Sequence, residues 1–292
     1  MLSVLIPTYD CDTFSLVKEM QQQLILEAIK FEIICLDDGS NSPLNSKNEK
    51  INTLSFSSFK SLENNIGRSA IRNLLAHTAK YKWLLFLDAD VIPVRSNFVK
   101  NYIACFKKEH TVFCGGILYQ NKKENFSLLR YKYGKKHEEI SSQRRNKNSE
   151  KYFFTSNFLI QKSVFDVVKF DENLTQYGKE DFLFSLQLIQ KNYQVTHLNN
   201  EVYHLGLDEN TLFVTKTKKA MENLVFLDNQ ELIDAKEMPL LSFVRKILLL
   251  KMIPTVAKFY PFFEKLTIKK SSVFFLNCLK VSYICHLKTA HK

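Results

Sequence analysis

The chain has 292 residues, 45% hydrophobic, 24% charged and 13% aromatic, with 7 Gly and 6 Pro, a composition that excludes the disordered and collagen-like classes. A chain of this length buries roughly 75% of the surface its unfolded form exposes, so it needs neither disulfides nor a structural metal to hold a core. Lys and Arg outnumber Asp and Glu by 41 to 30, but residues 236–292 alone carry a net +9, which predicts a nearly neutral body (1–235) and a basic extension (236–292) rather than a uniformly basic nucleic-acid binder.

Along the body, short apolar runs alternate with helical patterns, the mark of an α/β protein whose mostly parallel sheet is flanked by helices. Leu2 to Ile6 reads as a buried strand, and Phe14 to Ile29, with Leu16, Val17, Met20, Leu24 and Ala28 on one face, as a helix. Phe31 to Leu36 is the second strand and ends at Asp37-Asp38-Gly39-Ser40; Ile51 to Phe56 is a candidate third. Arg68 to Ala79 is helical, and Trp83 to Leu87 is a strongly apolar strand running into Asp88-Ala89-Asp90. Ser96 caps a helix through Phe106, and Val112 to Leu118 returns to the sheet. The polar stretch from Lys132 to Lys151 is expected to be irregular, a functional lid or a disordered loop. Strand character returns over Tyr152 to Ile160, a helix over Glu180 to Gln190 and a short strand over Tyr193 to His197.

Three acidic clusters fall where strands end or helices begin: Asp37-Asp38, Asp88-Ala89-Asp90 and Glu180-Asp181. In open α/β sheets the ligand crevice lies outside the carboxyl ends of the strands, which places the first two clusters toward one ligand. Hard oxygen ligands on a short turn suit Mg2+ or Mn2+ held together with substrate phosphates. The competing reading is a solvated turn or a helix cap, the usual employment of an Asp after a strand. No GxGxxG follows the first strand and no GxxxxGK[ST] occurs, which disfavours dinucleotide dehydrogenases and P-loop enzymes. Instead Pro7-Thr8-Tyr9-Asp10 follows, where Tyr9 either stacks on a base while Asp38 accepts the base's imide proton, or is a half-buried core aromatic.

Taken in order, Val4-Leu5-Ile6-Pro7-Thr8-Tyr9, Asp37-Asp38-Gly39-Ser40, Asn65-Ile66-Gly67-Arg68 with Arg72-Asn73, Phe86-Leu87-Asp88-Ala89-Asp90 and Gly178-Lys179-Glu180-Asp181 resemble the motifs of glycosyltransferase family two over about residues 1–210. The resemblance implies a GT-A fold for residues 1–235, a nucleotide-diphosphate sugar donor, UDP-linked, a divalent cation (Mn2+ or Mg2+) and inversion at the anomeric carbon. It implies that Pro7, Tyr9 and Asp38 hold the base, that Thr8 also binds the nucleotide, that Arg68 lies near the nucleotide, that Asp88 sits by the ribose and metal, and that Asp90 is the main metal ligand. Asp181, with Glu180 beside it, would be the catalytic base, taking the proton of the acceptor hydroxyl while the cation absorbs charge on the leaving diphosphate. Acids in a first helical turn also serve simply as dipole partners. Asn157, in Thr155-Ser156-Asn157, would hydrogen-bond the sugar or position the base, and His204 would stand near the metal or diphosphate. Arg72, one helical turn beyond Arg68, is left between a nucleotide contact and a simple partner for an acid.

The six cysteines show no CxxC and no paired spacing, which fits a reducing, cytoplasmic location. The amino-terminal apolar run is too short for a signal peptide, and no run of about 18 apolar residues predicts a spanning helix. Residues 238–292 set Leu, Ile, Phe and Val among evenly spread Lys and Arg, which describes either interfacial helices attracted to an anionic membrane surface or helices packed on the body with a solvated basic side. The expected activity is transfer to a growing surface glycan or a lipid-linked acceptor, with no nucleic-acid partner. Its rivals are a sugar-phosphate nucleotidyltransferase, which the absence of a Gly-rich, Arg-containing loop after the first strand opposes, and a non-catalytic membrane-associated sugar-nucleotide binder.

Overall fold

The computed structural model describes residues 1–174, 177–234, 236 and 238–290, which fall into two compact units. The first comprises Met1–Gln120, His137–Thr175 and Glu180–Gly206; the second comprises Asn121–Lys136, Gln176–Lys179 and Leu207–Lys292. The boundary expected after residue 235 falls on Ala235, outside the described residues.

In chain order the elements are β1 (Leu2–Thr8), α1 (Phe14–Ile25), β2 (Phe31–Asp37), α2 (Asn45–Asn48), β3 (Ser57–Ser61), α3 (Arg68–Thr78), β4 (Trp83–Leu87), β5 (Val91–Pro93), α4 (Phe98–Ile103), β6 (Thr111–Cys114), β7 (Ile117–Leu118), α5 (Leu129–His137), α6 (Ser142–Arg145), β8 (Asn157–Gln161), α7 (Lys162–Val167), α8 (Glu180–Gln190), β9 (Gln194–His197) and β10 (Val202–His204). There follow α9 (Asn210–Asn229), α10 (Pro239–Leu249), α11 (Ile253–Ala257), α12 (Tyr260–Lys270) and α13 (Val273–Ala290).

The first unit is built on a seven-stranded sheet of order β3-β2-β1-β4-β8-β6-β9. All neighbours pair in parallel except β8, which is antiparallel to both β4 and β6. Both faces of this sheet are covered, and its middle strand β4, Trp-Leu-Leu-Phe-Leu, is apolar and buried at every position. On β4, Trp83, Leu85 and Leu87 join the core that includes α1 and α4, while Leu84 and Phe86 join the core on the opposite face with α3, α7 and α8. A second, three-stranded sheet sets β10 antiparallel to β5 and parallel to β7.

Several expected elements change: the residue before α4 is Asn97 rather than the expected cap Ser96, and the expected strand Val112–Leu118 divides into β6 of one sheet and β7 of the other. Ile51–Phe56 is not a strand: residues Glu49–Thr53 form a 3-10 turn that buries Ile51, and the edge strand is the polar segment Ser57–Ser61, which sends only Phe59 into the core. Asn52 fixes that shift, its carboxamide accepting from the Phe59 N–H at 2.8 Å and donating to the Phe59 carbonyl at 3.2 Å. The polar stretch 132–151 contains helical turns rather than a bare loop, and its anchor is Arg145, whose side chain is fully buried. The Arg145 guanidinium donates to the carbonyls of Ile140, Cys114, Gly115 and Leu198 at 2.7–3.3 Å and to His197 Nδ1 at 2.9 Å. Gly115 is obligatory here, because a Cβ would stand 2.1 Å from the Asn200 carbonyl oxygen.

Since Nδ1 of His197 accepts from Arg145 and Nε2 faces the Ser149 carbonyl at 2.9 Å, the neutral Nε2–H tautomer satisfies both ring nitrogens. Burial, with the Arg145 charge adding to it against the Ser149 hydrogen bond, pushes the imidazole from 6.5 down to about 4. The unfolded chain therefore binds this proton first, and the contribution is complete above pH 6.5 and lost as the pH falls from 6.5 toward 4. It amounts to about 3 kcal/mol at most. Urea midpoints measured across this window should fall more steeply for the wild type than for His197→Gln; parallel slopes would remove His197 as their source.

In the second unit, α9 packs with α12 and α13. Leu129, Phe213, Val214, Leu276 and Leu279 form its core, and Asn210 ties three segments by accepting from the Leu129 N–H and donating to the Ile268 carbonyl and Ser271 Oγ. Among the described residues no helix is long and apolar enough to cross a membrane.

Candidate active site

Thr8, Asp37 and, one residue beyond its strand, Asp88 stand at the carboxyl ends of β1, β2 and β4, the edge where ligands meet parallel sheets. The adjacent acids Asp37 and Asp38 do different things. Asp37 is fully buried and accepts from Ser40 Oγ (2.6 Å), the Ser40 N–H (3.0 Å), Asn45 Nδ2 (3.0 Å) and Ser61 Oγ (2.7 Å). Burial alone would raise its pKa; these hydrogen bonds outweigh burial and hold the carboxyl below its ordinary range. Asp38 takes the N–H groups of Ile66 (2.7 Å) and Gly67 (3.0 Å) on its two oxygens and so orients the start of α3. Its own N–H donates to the Thr8 carbonyl at 2.9 Å, fastening the two strand ends, and Tyr9, next along, is 58% exposed.

One turn apart on α3 lie Arg68 and Arg72. Arg72 is only 3% exposed, and its Nη2 donates to Asp88 Oδ1 at 2.8 Å and to Thr155 Oγ1 at 3.2 Å. Nη1 donates to the Arg68 carbonyl at 3.2 Å and lies 3.9 Å from Glu180 Oε1, while the guanidinium stands 5.6 Å over the Phe170 ring. The more exposed Arg68 reaches to 3.7 Å of the same Glu180 oxygen. Glu180 is buried, and its Oε2 has no hydrogen-bond partner. A single buried cation thus links the acid at the end of β4 to the acid that opens α8. That helix is fastened in turn by Phe184, stacked on Phe170 at 4.2 Å. Asp181 follows in the same first turn, less buried than Glu180, with its Oδ1 2.7 Å from the Phe182 N–H.

Asp90 faces another way. The antiparallel pairing of β5 with β10 sets Val91 opposite His204, and the Leu205 N–H donates to the Asp90 carbonyl at 2.8 Å. This brings Asp90 Oδ2 to 3.7 Å from His204 Nε2. Glycine at 206 leaves room for that carboxylate, since a Cβ there would stand 1.9 Å from its oxygen and push the Asp90 side chain aside. The His204 ring stacks on Tyr119, 5.7 Å between centroids, and Tyr119 donates its hydroxyl to Glu138. His204 Nδ1 is buried without a hydrogen-bond partner. Burial, followed by the charges of Asp90, Asp12 and Asp10, pushes the nearby Cys11 thiol up to about 12, which marks this corner as electronegative.

The family model for glycosyl transferase family 2 matches residues 3–169, more than half of the chain. The chain belongs to glycosyl transferase family 2. No curated protein matches it by sequence. Among solved structures, the family 2 chain is similar to GalNAc-T7, crystallised with UDP, GalNAc and Mn2+, at 16% identity and a TM-score of 0.52 over 72% of this chain and 44% of that one. It also matches S. aureus TarS, at 16% identity and a TM-score of 0.48 over 97% of this chain, and TarS 1–349 in complex with UDP, at 15% identity and 0.49 over 99% of this chain and 90% of that one. The chain spans 55% of the length of the longer TarS chain. The GalNAc-T7 likeness shows a shared GT-A fold, as the sequence motifs imply.

Within this family 2 fold, Asp88 and Glu180 are brought together through Arg72, and Asp90 and His204 meet each other directly. Asn157 is placed otherwise: its carboxamide donates to the Gly116 and Asn200 carbonyls at 3.0 and 2.8 Å and accepts from the Tyr102 hydroxyl at 2.6 Å, so both of its N–H bonds are spent inside the protein. Among the described residues no group of three or more His, Cys, Asp or Glu side chains gathers as a metal centre. Two participants carry no isolated sequence signal, Tyr119 under His204 and Thr155 beside Arg72. For Arg72, which the motif set includes, the structure favours the second of its two expected roles, a partner for acids, here Asp88 and Glu180.

Proposed function

We propose that this chain is a glycosyltransferase that moves a sugar from a UDP-linked donor to a hydroxyl of a growing surface glycan or lipid-linked acceptor, with inversion at the anomeric carbon. The observation that carries the reading is the Arg72 bridge, which sets an acid at the carboxyl edge of the parallel sheet beside the acid pair that opens α8. Family membership supports the reaction class.

In this reading Pro7, Thr8, the exposed Tyr9 and Asp38 border the base, with Asp38 acting partly through the α3 start it orients, and Arg68 lies toward the nucleotide. Asp181, the more accessible of the α8 acids, takes the acceptor proton as the acceptor oxygen forms its bond to the anomeric carbon and the nucleoside diphosphate departs from the opposite face. Glu180 stays buried against the two arginines and holds the helix start in place.

GalNAc-T7 was crystallised with Mn2+; for this chain a divalent ion is proposed on its own donors. One carboxylate oxygen of Asp90 and one imidazole nitrogen of His204, side by side in an electronegative corner, fit an ion that completes its shell with diphosphate oxygens and water, with Asp88 toward the ribose side. Such an ion offsets charge developing on the diphosphate leaving group. Asp90→Ala is expected to weaken UDP binding in the presence of Mn2+ by about tenfold or more while leaving metal-free binding unchanged. Calorimetric titration of UDP with Mn2+ and with EDTA checks this; equal affinities for wild type and variant with Mn2+ would dismiss the metal role. Residues 238–292 are read as meeting an anionic membrane surface.

A further inference from the structure

The carboxyl end of α10 and the turn into α11 expose five consecutive residues, Leu248-Leu249-Leu250-Lys251-Met252. Leu249 is 82% and Leu250 68% exposed, although the same helix buries Leu241, Val244 and Ile247. The apolar pattern of α10 is therefore continued past the face that packs, onto a tip whose Leu249 and Leu250 stand mostly in solvent. A soluble surface gains nothing from such a cluster, and contiguous exposed apolar patches mark interaction sites.

Charge around the tip identifies the occupant. No Asp or Glu occurs between Glu237 and Glu264, while Arg245, Lys246, Lys251 and Lys258 fall in that interval. Arg245 is neutralised by Asp228 at 2.9 Å, but among the described residues no carboxylate is within ion-pair reach of Lys246, Lys251 or Lys258, all three exposed. A second copy of the chain docked on the tip would oppose these cations to themselves. An anionic bilayer satisfies both features, with acyl chains for the leucines and headgroup phosphates for the lysines.

We propose that the α10–α11 turn, residues 248–252, is a membrane-insertion tip that enters the headgroup–acyl boundary of an anionic bilayer, with Lys246, Lys251 and Lys258 held at the phosphates. This rests on the reading of residues 238–292 as membrane-facing and gives that reading a defined point of entry. Each such cation strengthens partition by about fivefold, so the three together favour anionic over neutral vesicles on the order of a hundredfold.

The test is flotation of the full chain with vesicles of equal phosphatidylglycerol and phosphatidylcholine, and with phosphatidylcholine alone. The wild type should float with the mixed vesicles. The double variant Leu249→Asp, Leu250→Asp should lose at least about tenfold in partition with its thermal midpoint and UDP binding unchanged, and Lys246→Glu with Lys251→Glu and Lys258→Glu should abolish the preference for anionic lipid. In Leu249→Trp the introduced indole should shift its emission to the blue on binding. Flotation of the wild type with undiminished recovery of the double Asp variant overturns the insertion tip and leaves the membrane reading standing. Failure of the wild type to float overturns both. Self-association in the absence of lipid, abolished by the same Asp substitutions and without flotation, assigns the patch to a second copy and also overturns the proposal.

Discussion

Replacing Asp181 by Asn is expected to lower the turnover number for glycosyl transfer by about a thousandfold and to leave the dissociation constant of the donor within about twofold of its wild-type value. The exchange keeps the shape of the side chain and its 2.7 Å contact with the Phe182 N–H, so α8 still begins in the same place. What it removes is a basic oxygen, and a positioned general base is worth about 10^2–10^4 in rate. The neighbouring acid is the internal control. Glu180 is buried, with one oxygen beside Arg68 and Arg72 and the other without a partner, so Glu180→Gln removes a charge facing two cations rather than a proton acceptor facing substrate. That variant should cost turnover far less than Asp181→Asn. Single-turnover transfer assays with saturating donor separate the two, and wild-type turnover in Asp181→Asn would transfer the role of base elsewhere.

The difference between these two adjacent acids shows where reading a sequence stops. Local pattern carries a strand such as Trp83–Leu87, because both faces of a central strand are buried and no register or partner needs to be known. The same pattern places Asp88 and Asp90 just beyond it. It does not say that Asp88 turns to Arg72 on α3 while Asp90 turns to His204 on β10, since each direction is decided by an element far along the chain. Asp37 and Asp38 divide likewise, one locking a turn through Ser40, Asn45 and Ser61, the other holding the Ile66 N–H, 28 residues later, just ahead of a helix. Asn157 is the plainest case: in sequence it is a polar residue inside an expected strand, and only packing reveals that its partners are Tyr102, Gly116 and Asn200. The edge strand Ser57–Ser61 escapes pattern reading because one inward side chain suffices at an edge, and the buried Arg145 escapes because a polar run ordinarily means solvent.

Arg72→Met is expected to lose about 3 kcal/mol of stability and at least about a hundredfold in activity, and Arg72→Lys to separate the two losses. Methionine fills much of the space over Phe170 but leaves Asp88 Oδ1 and Thr155 Oγ1 without their donor, and it strips Glu180 of its buried cation. Removing one member of a buried ion pair costs more than the pair itself contributes, because the remaining charge is stranded. Lysine restores the charge, so most of the stability should return, as read from urea midpoints. It does not restore the planar fork that reaches Asp88, Thr155 and the Arg68 carbonyl at once, so the carboxylate at the end of β4 and the first turn of α8 lose their common reference. If Arg72 serves only to neutralise buried acids, the lysine variant will transfer sugar at the wild-type rate. If the bridge positions the two acids, stability will recover while turnover stays depressed by about tenfold or more. That split, measured on folded protein below its thermal midpoint, distinguishes a cation that holds the site's geometry from one that merely balances its charge.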